Sequence, residues 1–377
     1  MENPFVYGGA VLSENFCDRI KEIKKFKRDL MDLQKIFLIS SRKLGKTSII
    51  INVLNELKKE ELITIYIDIE AFSSHKEFLE IYLLTLIKET TTINKILTFI
   101  RNLMPGLRIE LKFDGSGKPL LSLSYSHNDK ELNRIALKIY DLPGIISEKR
   151  KKRVVVAFDE FQEILKFNGK NIEGSLRTSI QHQRNVGYIF AGSKRHLLNE
   201  MVNSPQNPFY KIGPVMFLKK IEEKQFFEFI KEKFISTKFK ISDETLFKII
   251  EKVENIPYYI QMICHELWNY KLLKKEISID DIEIVIDQLV RENSQNFHIE
   301  WSRLILNKRR LLKAIVIDGG KNVLSIEYIK RNELYYPSSV QRTLKSLIKD
   351  GYLDQDDENN YYITDLLFRE WIRKLHI

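Results

Sequence analysis

Short apolar runs alternate with longer stretches of helical periodicity through the first two thirds of the chain. Ile36-Phe37-Leu38-Ile39, Ile63-Thr64-Ile65-Tyr66-Ile67, Val154-Val155-Val156-Ala157-Phe158 and Tyr188-Ile189-Phe190-Ala191 have almost no polar alternation. Runs of that length and β-branched content suit strands covered on both faces, and their alternation with amphipathic helices predicts an α/β layer fold with a mainly parallel sheet. Between the second and third runs, Leu107, Ile109, Leu111 and Phe113 approach a polar turn, and Leu121, Leu123 and Tyr125 leave it. This predicts an inserted β-hairpin near residues 106–127.

From about residue 219 the strand signals stop and helical periodicity takes over. Ser242-Asp243-Glu244 and Ser278-Ile279-Asp280-Asp281 each place a capping hydroxyl before early acids, the pattern of a helix start. Beyond the polar stretch at Asn293, the tail from about residue 308 reads as three helices and a hairpin. Pro337 opens the last of these helices, in which Val340, Leu344, Leu347 and Ile348 share one face while Arg342, Lys345 and Lys349 share the other. Asp350-Gly351 ends it, and Tyr352-Leu353 can pair with Tyr361-Tyr362-Ile363 across a polar turn, which is the wing of a winged helix-turn-helix. The expected division is therefore 1–217 for the α/β core, 218–297 for a helical lid and 298–377 for the winged-helix domain.

The bulk properties narrow the function classes. A chain of 377 residues has room for several cores, and 44% hydrophobic with 30% charged residues describes a globular protein. No apolar run approaches the roughly 20 residues that cross a bilayer, so no membrane partner is expected. Met1-Glu2-Asn3-Pro4-Phe5 lacks the basic and apolar segments of a secretory signal, which points to the cytoplasm. Cys17 and Cys264 have no metal-ligand or redox neighbour and read as buried small hydrophobes. The net charge of +10 favours an anionic partner, although the lysines are spread along the whole chain.

Candidate chemistry lies at the ends of the apolar runs. Lys35 to Ile50 places a strand, a tight loop and a helix in succession, and Gly45-Lys46-Thr47 closes the loop. In a phosphate-binding loop the backbone N–H groups wrap the phosphates, the helix N-terminus adds partial positive charge, the lysine reaches the outer phosphates and the hydroxyl binds magnesium. Ser40 stands where the full pattern has glycine, so the alternative is a turn that merely reads Gly-Lys-Thr. The run Val154–Phe158 ends in Asp159-Glu160. There the first acid could hold magnesium and the second could orient the attacking water; otherwise both simply solvate a strand end. Ser193, after the fourth run, could sense a γ phosphate, and Lys194 or Arg195 could meet developing charge, against the alternative of an ordinary Gly-Ser turn.

Taken together, Asn3-Pro4-Phe5, Phe16 to Arg19 with Glu22, Ser41 to Ser48, Asp159-Glu160-Phe161-Gln162, Gly192 to Arg195, Ser204 to Tyr210 and Asn255 to Tyr259 resemble the archaeal-type ATPases and their bacterial relatives. That is a branch of the AAA+ and STAND group of P-loop proteins. The resemblance runs over nearly the whole chain and implies an AAA+ type P-loop NTPase core, a helical lid and a C-terminal winged helix-turn-helix. It implies ATP and Mg2+ as ligands, with Ser41, Arg42, Gly45, Lys46, Thr47 and Ser48 around the phosphates, and Thr47 and Asp159 at the metal. Glu160, Lys46 and Ser193 are then the catalytic groups. Arg19, Pro257 and Tyr258 fall near the base; Asn255 stands where the lid motif has glycine, and asparagine tolerates left-handed backbone. For Pro257 a plain helix start is the alternative. Relatives that oligomerise complete the site with a neighbour's arginine, for which Arg177, Arg184 and Arg195 are the candidates.

Two uses of the tail stay open: Ser338, Ser339, Gln341 and Arg342 could enter a DNA groove, or the same surface could contact a protein. The acidic wing tip around Asp354 and Glu358 opposes DNA. The expected function is an ATP-hydrolysing switch. Its rival is a nucleotide-holding DNA-binding or scaffold module with little hydrolysis, serving a mobile element or a defence system.

Overall fold

The computed structural model describes residues 2–12, 15–17, 19–89, 109–113, 115, 119–124, 129–167, 172–356 and 358–375. The chain forms two compact units: Gly8–Glu222, and Met1–Tyr7 together with Glu223–Ile377.

The first unit contains α1 (Ile20–Met31), β1 (Lys35–Ser40), α2 (Lys46–Lys59), β2 (Ile63–Asp68), α3 (His75–Lys88), β3 (Ile109–Phe113), β4 (Pro119–Leu123), α4 (Asp129–Arg150), β5 (Val154–Asp159), α5 (Ile172–His182), β6 (Val186–Gly192), α6 (Arg195–Asn203) and β7 (Val215–Leu218). A five-stranded sheet runs β2-β5-β6-β1-β7, parallel throughout. The four apolar runs are its β1, β2, β5 and β6, and β7 is an edge strand that the sequence reading missed. The inserted hairpin is β3 paired antiparallel with β4. Leu107 and Tyr125, at its expected limits, lie outside the described residues.

Period-two geometry sorts the sheet residues between two cores. Ile36, Leu38, Val155, Ala157, Ile189 and Ala191 pack with Phe26 and Leu30 of α1 and with Ile49, Val53 and Leu57 of α2. Phe37, Ile39, Val154, Val156, Phe158, Tyr188 and Phe190 pack on the opposite side with α3 to α6. Side chains of this kind contribute about 1.5–3 kcal/mol each when fully buried. The sheet is thus sandwiched between helical layers. The same parity carries functional residues, because Asp159 follows Val155 and Ala157 onto the α2 face.

The second unit contains α7 (Glu223–Ser236), β8 (Lys240–Ile241), α8 (Asp243–Lys252), α9 (Pro257–Tyr270), β9 (Glu276–Ile277), α10 (Ile279–Arg303), α11 (Leu306–Asp318), α12 (Ile326–Arg331), α13 (Pro337–Lys349), β10 (Leu353–Gln355), β11 (Tyr361–Ile363) and α14 (Leu366–Lys374). Ser242 caps α8 by accepting from Thr245 N, and Ser278 starts α10 with a capping box closed by Asp281. The 25-residue α10 runs across position 297/298, where the sequence reading divides lid from tail.

The final helix α14 was not anticipated. Phe368 and Trp371 pack against Phe297 of α10, Trp371 Nε1 donates to Ser294 Oγ at 3.1 Å, and Leu366 N donates to Tyr259 Oη at 2.8 Å. The chain's beginning belongs to this unit as well, for Asn3 Nδ2 donates to His265 O at 3.0 Å. In the winged helix, Val340, Leu344 and Leu347 are buried, Gly351 takes a φ of 82° past the end of α13, and β10 pairs antiparallel with β11. Among the described residues, no helix is long and apolar enough to cross a membrane. Cys17 and Cys264 are both buried.

Candidate active site

At the C-terminal end of β1 the chain turns through Ser41 to Gly45 into α2. Left-handed backbone falls at Lys43 and at Gly45, whose φ is 86°. Ser40 is not among the left-handed residues; it completes β1, is buried, and its hydroxyl donates to Ser41 O at 2.7 Å. The side chain at Ser40 is therefore accommodated without the strained backbone that would demand glycine. A Cβ on Gly45 would meet nothing within 4 Å, so this glycine serves backbone handedness and leaves open space beside the loop.

Lys46 and Thr47 open α2 and reach the end of β5. Lys46 Nζ is ion-paired with Asp159 Oδ1 and lies 2.9 Å from Glu160 Oε1. Thr47 Oγ1 donates to Asp159 Oδ2 at 2.6 Å, and Tyr66 Oη donates to the same oxygen at 3.1 Å. Both carboxylates, the ammonium and the hydroxyl thus converge across the sheet although β6 separates β1 from β5. Such a crevice at the carboxyl ends of parallel strands is where α/β folds take ligands.

Glu160 takes a left-handed φ of 47° as the chain leaves β5 for the 3-10 turn Phe161–Lys166. Left-handed non-glycine residues are uncommon and gather where the surrounding structure fixes them for a purpose. Ser193 donates to Glu160 Oε2 from its hydroxyl at 2.7 Å and from its N–H at 3.2 Å. Burial raises the Glu160 carboxyl pKa, but the Lys46 charge and hydrogen bonds from Lys46, Gln162 and Ser193 outweigh it and pull the pKa down to about 2. Burial in turn lowers the Lys46 ammonium pKa, and the charges of Asp159 and Glu160 more than reverse that. At neutral pH Glu160 is therefore ionised and Lys46 protonated.

The other sequence candidates fall into four groups. Ser48 and Arg19 support the loop: Ser48 Oγ accepts from Val11 N at 3.0 Å, and buried Arg19 donates to Leu44 O at 3.3 Å and to Glu22 at 2.9 Å. Ser41 is half-buried and Arg42 exposed on the loop itself. Pro257 and Tyr258 belong to the other unit, where Pro257 takes the first position of α9, and Asn255 does adopt left-handed backbone with φ 53°.

Lys194 is committed elsewhere, donating to buried Glu163 Oε1 at 2.7 Å. Arg177 donates to Pro208 O at 3.1 Å, Arg184 precedes β6 at the end of that strand opposite Ser193, and Arg195 begins α6. Tyr66 and Glu163 were not singled out as site residues from the sequence, and Gln162 entered only as part of the Asp159-Glu160-Phe161-Gln162 motif, with no role of its own. Strand parity could have found Tyr66, which lies on the α2 face like Asp159.

The donor set suits magnesium and a triphosphate. A hydroxyl and carboxylate oxygens are hard-cation ligands, and magnesium held on phosphates needs only one or two protein groups. Among the described residues there is no cluster of three metal-ligating side chains. The ionised Glu160 would repel a bare triphosphate, whereas a bound metal ion would bring positive charge between them.

The fold is a parallel α/β core like that of P-loop ATPases, followed by a winged-helix domain. Residues 295–374 match the family model described as a probable winged helix domain. Among solved structures, the chain is similar to the Walker-type ATPase PABY2304 of Pyrococcus abyssi, with 18% identity, a TM-score of 0.69 and coverage of 98% of this chain and 99% of that one. It is also similar to the ORC2 protein of Aeropyrum pernix in its ADPNP-ADP complexes, with 14% identity, a TM-score of 0.57 and coverage of 96% of each chain. At these identities the likeness is one of fold. No curated protein sequence matches the chain.

Proposed function

We propose that the chain binds magnesium-ATP at the end of β1 and β5 and hydrolyses it, acting as a switch read out through the winged-helix unit. The observation that carries this reading is the convergence of Lys46, Thr47, Asp159 and Glu160 at the carboxyl ends of the central strands. Lys46 neutralises phosphate charge, Thr47 and Asp159 hold magnesium, and the metal, when bound, supplies Lewis-acid screening of the phosphate oxygens. Ser41, Arg42, Gly45 and Ser48 form and support the phosphate loop. Arg19, which supports the loop through Leu44 O, is assigned to the base.

Glu160 is the group that takes the proton of the attacking water. The Lys46 charge and the hydrogen bonds to Glu160 keep its carboxyl ionised, so it can accept without a preceding deprotonation, and its basicity rises when Lys46 turns to a phosphate. To Ser193, bonded to the same carboxylate, we assign the role of reporting on what occupies the site.

Phosphate release separates this reading from a nucleotide-holding scaffold. Glu160→Gln keeps the shape but loses the acceptor, and release should fall by about 100-fold or more while nucleotide affinity is kept. Equal, negligible release from both proteins would favour the scaffold.

A further inference from the structure

Three hydrogen bonds meet on one oxygen of Glu160. Ser193 supplies two, and the third comes from Gln162 Nε2 at 2.6 Å. The other oxygen faces Lys46 Nζ at 2.9 Å. A carboxylate held this way cannot rotate about its last torsion: one oxygen is occupied by fixed donors and the other is presented toward the phosphate loop. Gln162 is itself immobile, being 2% exposed and seated in the 3-10 turn that follows β5.

Gln162 Nε2 also donates to Glu163 Oε1 at 3.3 Å, and two further features set this glutamine apart from an ordinary core amide. Its Oε1 is buried with no hydrogen-bond partner among the described residues, so the amide is poorly satisfied as a core group. The backbone opposite has been cleared to admit it, since a Cβ on Gly192 would collide with Gln162 Oε1 and with Leu198 Cδ1. Gly192 has no left-handed φ that would otherwise explain it. The residue beyond is Ser193, so one glycine both admits the Gln162 amide and starts the turn that brings the other two donors.

We infer that Gln162, seated against Gly192, is a positioning residue that locks the Glu160 carboxylate in the orientation needed to accept a proton from water. It acts through Glu160 and touches no reacting atom. The inference rests on the ATPase reading proposed above, and it adds that turnover depends on a side chain buried behind the acid.

Gln162→Met keeps the length and shape of the side chain and removes the donor. The expected result is a fall in kcat of at least about tenfold with KM for ATP kept within about twofold, because only the orientation of Glu160 is lost. Gly192→Ala provides a second variant that displaces the amide while keeping the glutamine, and the same kcat loss is expected from it. Circular dichroism and thermal unfolding verify that each variant is folded; should Gln162→Met fail to fold, Gly192→Ala carries the test. Turnover that is lost in Glu160→Gln but undiminished in the folded clamp variant overturns the positioning role alone. A rise in KM with kcat unchanged overturns it as well. Absence of turnover in the unaltered protein overturns the ATPase reading and this inference with it.

Discussion

The phosphate-loop site and the face of α13 are both rich in charge, yet the physics of the two is opposite. Lys46 and Asp159 are 6% and 2% exposed and contact each other and their neighbours directly. Arg342, Lys345 and Lys349 are exposed on a helix whose buried stripe faces the winged-helix core. Charges withdrawn from water must be paired, so each is tied to a particular geometry and its loss is felt by the others. Charges on a wet helix face are screened, contribute little to folding, and are free to serve a partner. A buried ionic cluster at strand ends therefore carries a functional reading further than an exposed basic stripe does.

The sharpest way to break this contrast is to remove one charge from each region. Lys46→Ala removes the cation from buried Asp159 and half-buried Glu160, and chemical denaturation should record a loss of about 3–5 kcal/mol. A change near zero would mean that the cluster is wetter than its burial indicates.

The next effect is in pH. The Glu160 carboxyl is lowered from 4.5 to about 2 in the folded chain, so its ionised form favours folding. That contribution is complete above about 4.5 and disappears as pH falls through about 2, and it is on the order of 3 kcal/mol. The Lys46 ammonium is raised, so its contribution is present below its ordinary value and is lost only in strong alkali. Unfolding followed between pH 5 and pH 2 should show a steeper loss for the unaltered protein than for Glu160→Gln; parallel curves would show that the acid is not held by its neighbours.

The smallest effect belongs to the tail. Arg342→Ala with Lys345→Ala should alter folding stability by less than about 0.5 kcal/mol. If the α13 face meets DNA, the same pair should weaken DNA binding and reduce its salt dependence by about two phosphate contacts. DNA affinity and salt slope that are unchanged would assign the face to a protein partner or to solvent.

Legibility in the sequence followed the same division. The four buried strands were readable because both faces are covered, which makes their apolar runs nearly unbroken. Asp159, Glu160 and Ser193 stood out because they come at the ends of such runs, and Lys46 and Thr47 because Gly45-Lys46-Thr47 closes the loop between a run and a helix; the structure brings these five side chains together. The edge strand β7, Val215–Leu218, is half-buried and follows Gly213-Pro214, so it resembled a loop. Pro143 lies within α4, where a proline argues locally against helix.

The Gln162 contact was out of reach for another reason. It depends on how the turn after β5 meets the turn after β6, a tertiary relation that no local pattern encodes. The same holds for Lys194, a sequence candidate for meeting developing charge that is bonded to Glu163, and for the first seven residues, which join a unit more than 200 positions away.

The central claim, that a metal-bound triphosphate is gripped at Lys46, is tested most directly by titration calorimetry of the folded protein with magnesium-ATP, run beside Lys46→Ala. The expected result is a saturable heat for one nucleotide per chain, dependent on magnesium and abolished by the substitution. Saturable binding of equal affinity in both proteins, or no heat at all from the unaltered chain, would contradict it.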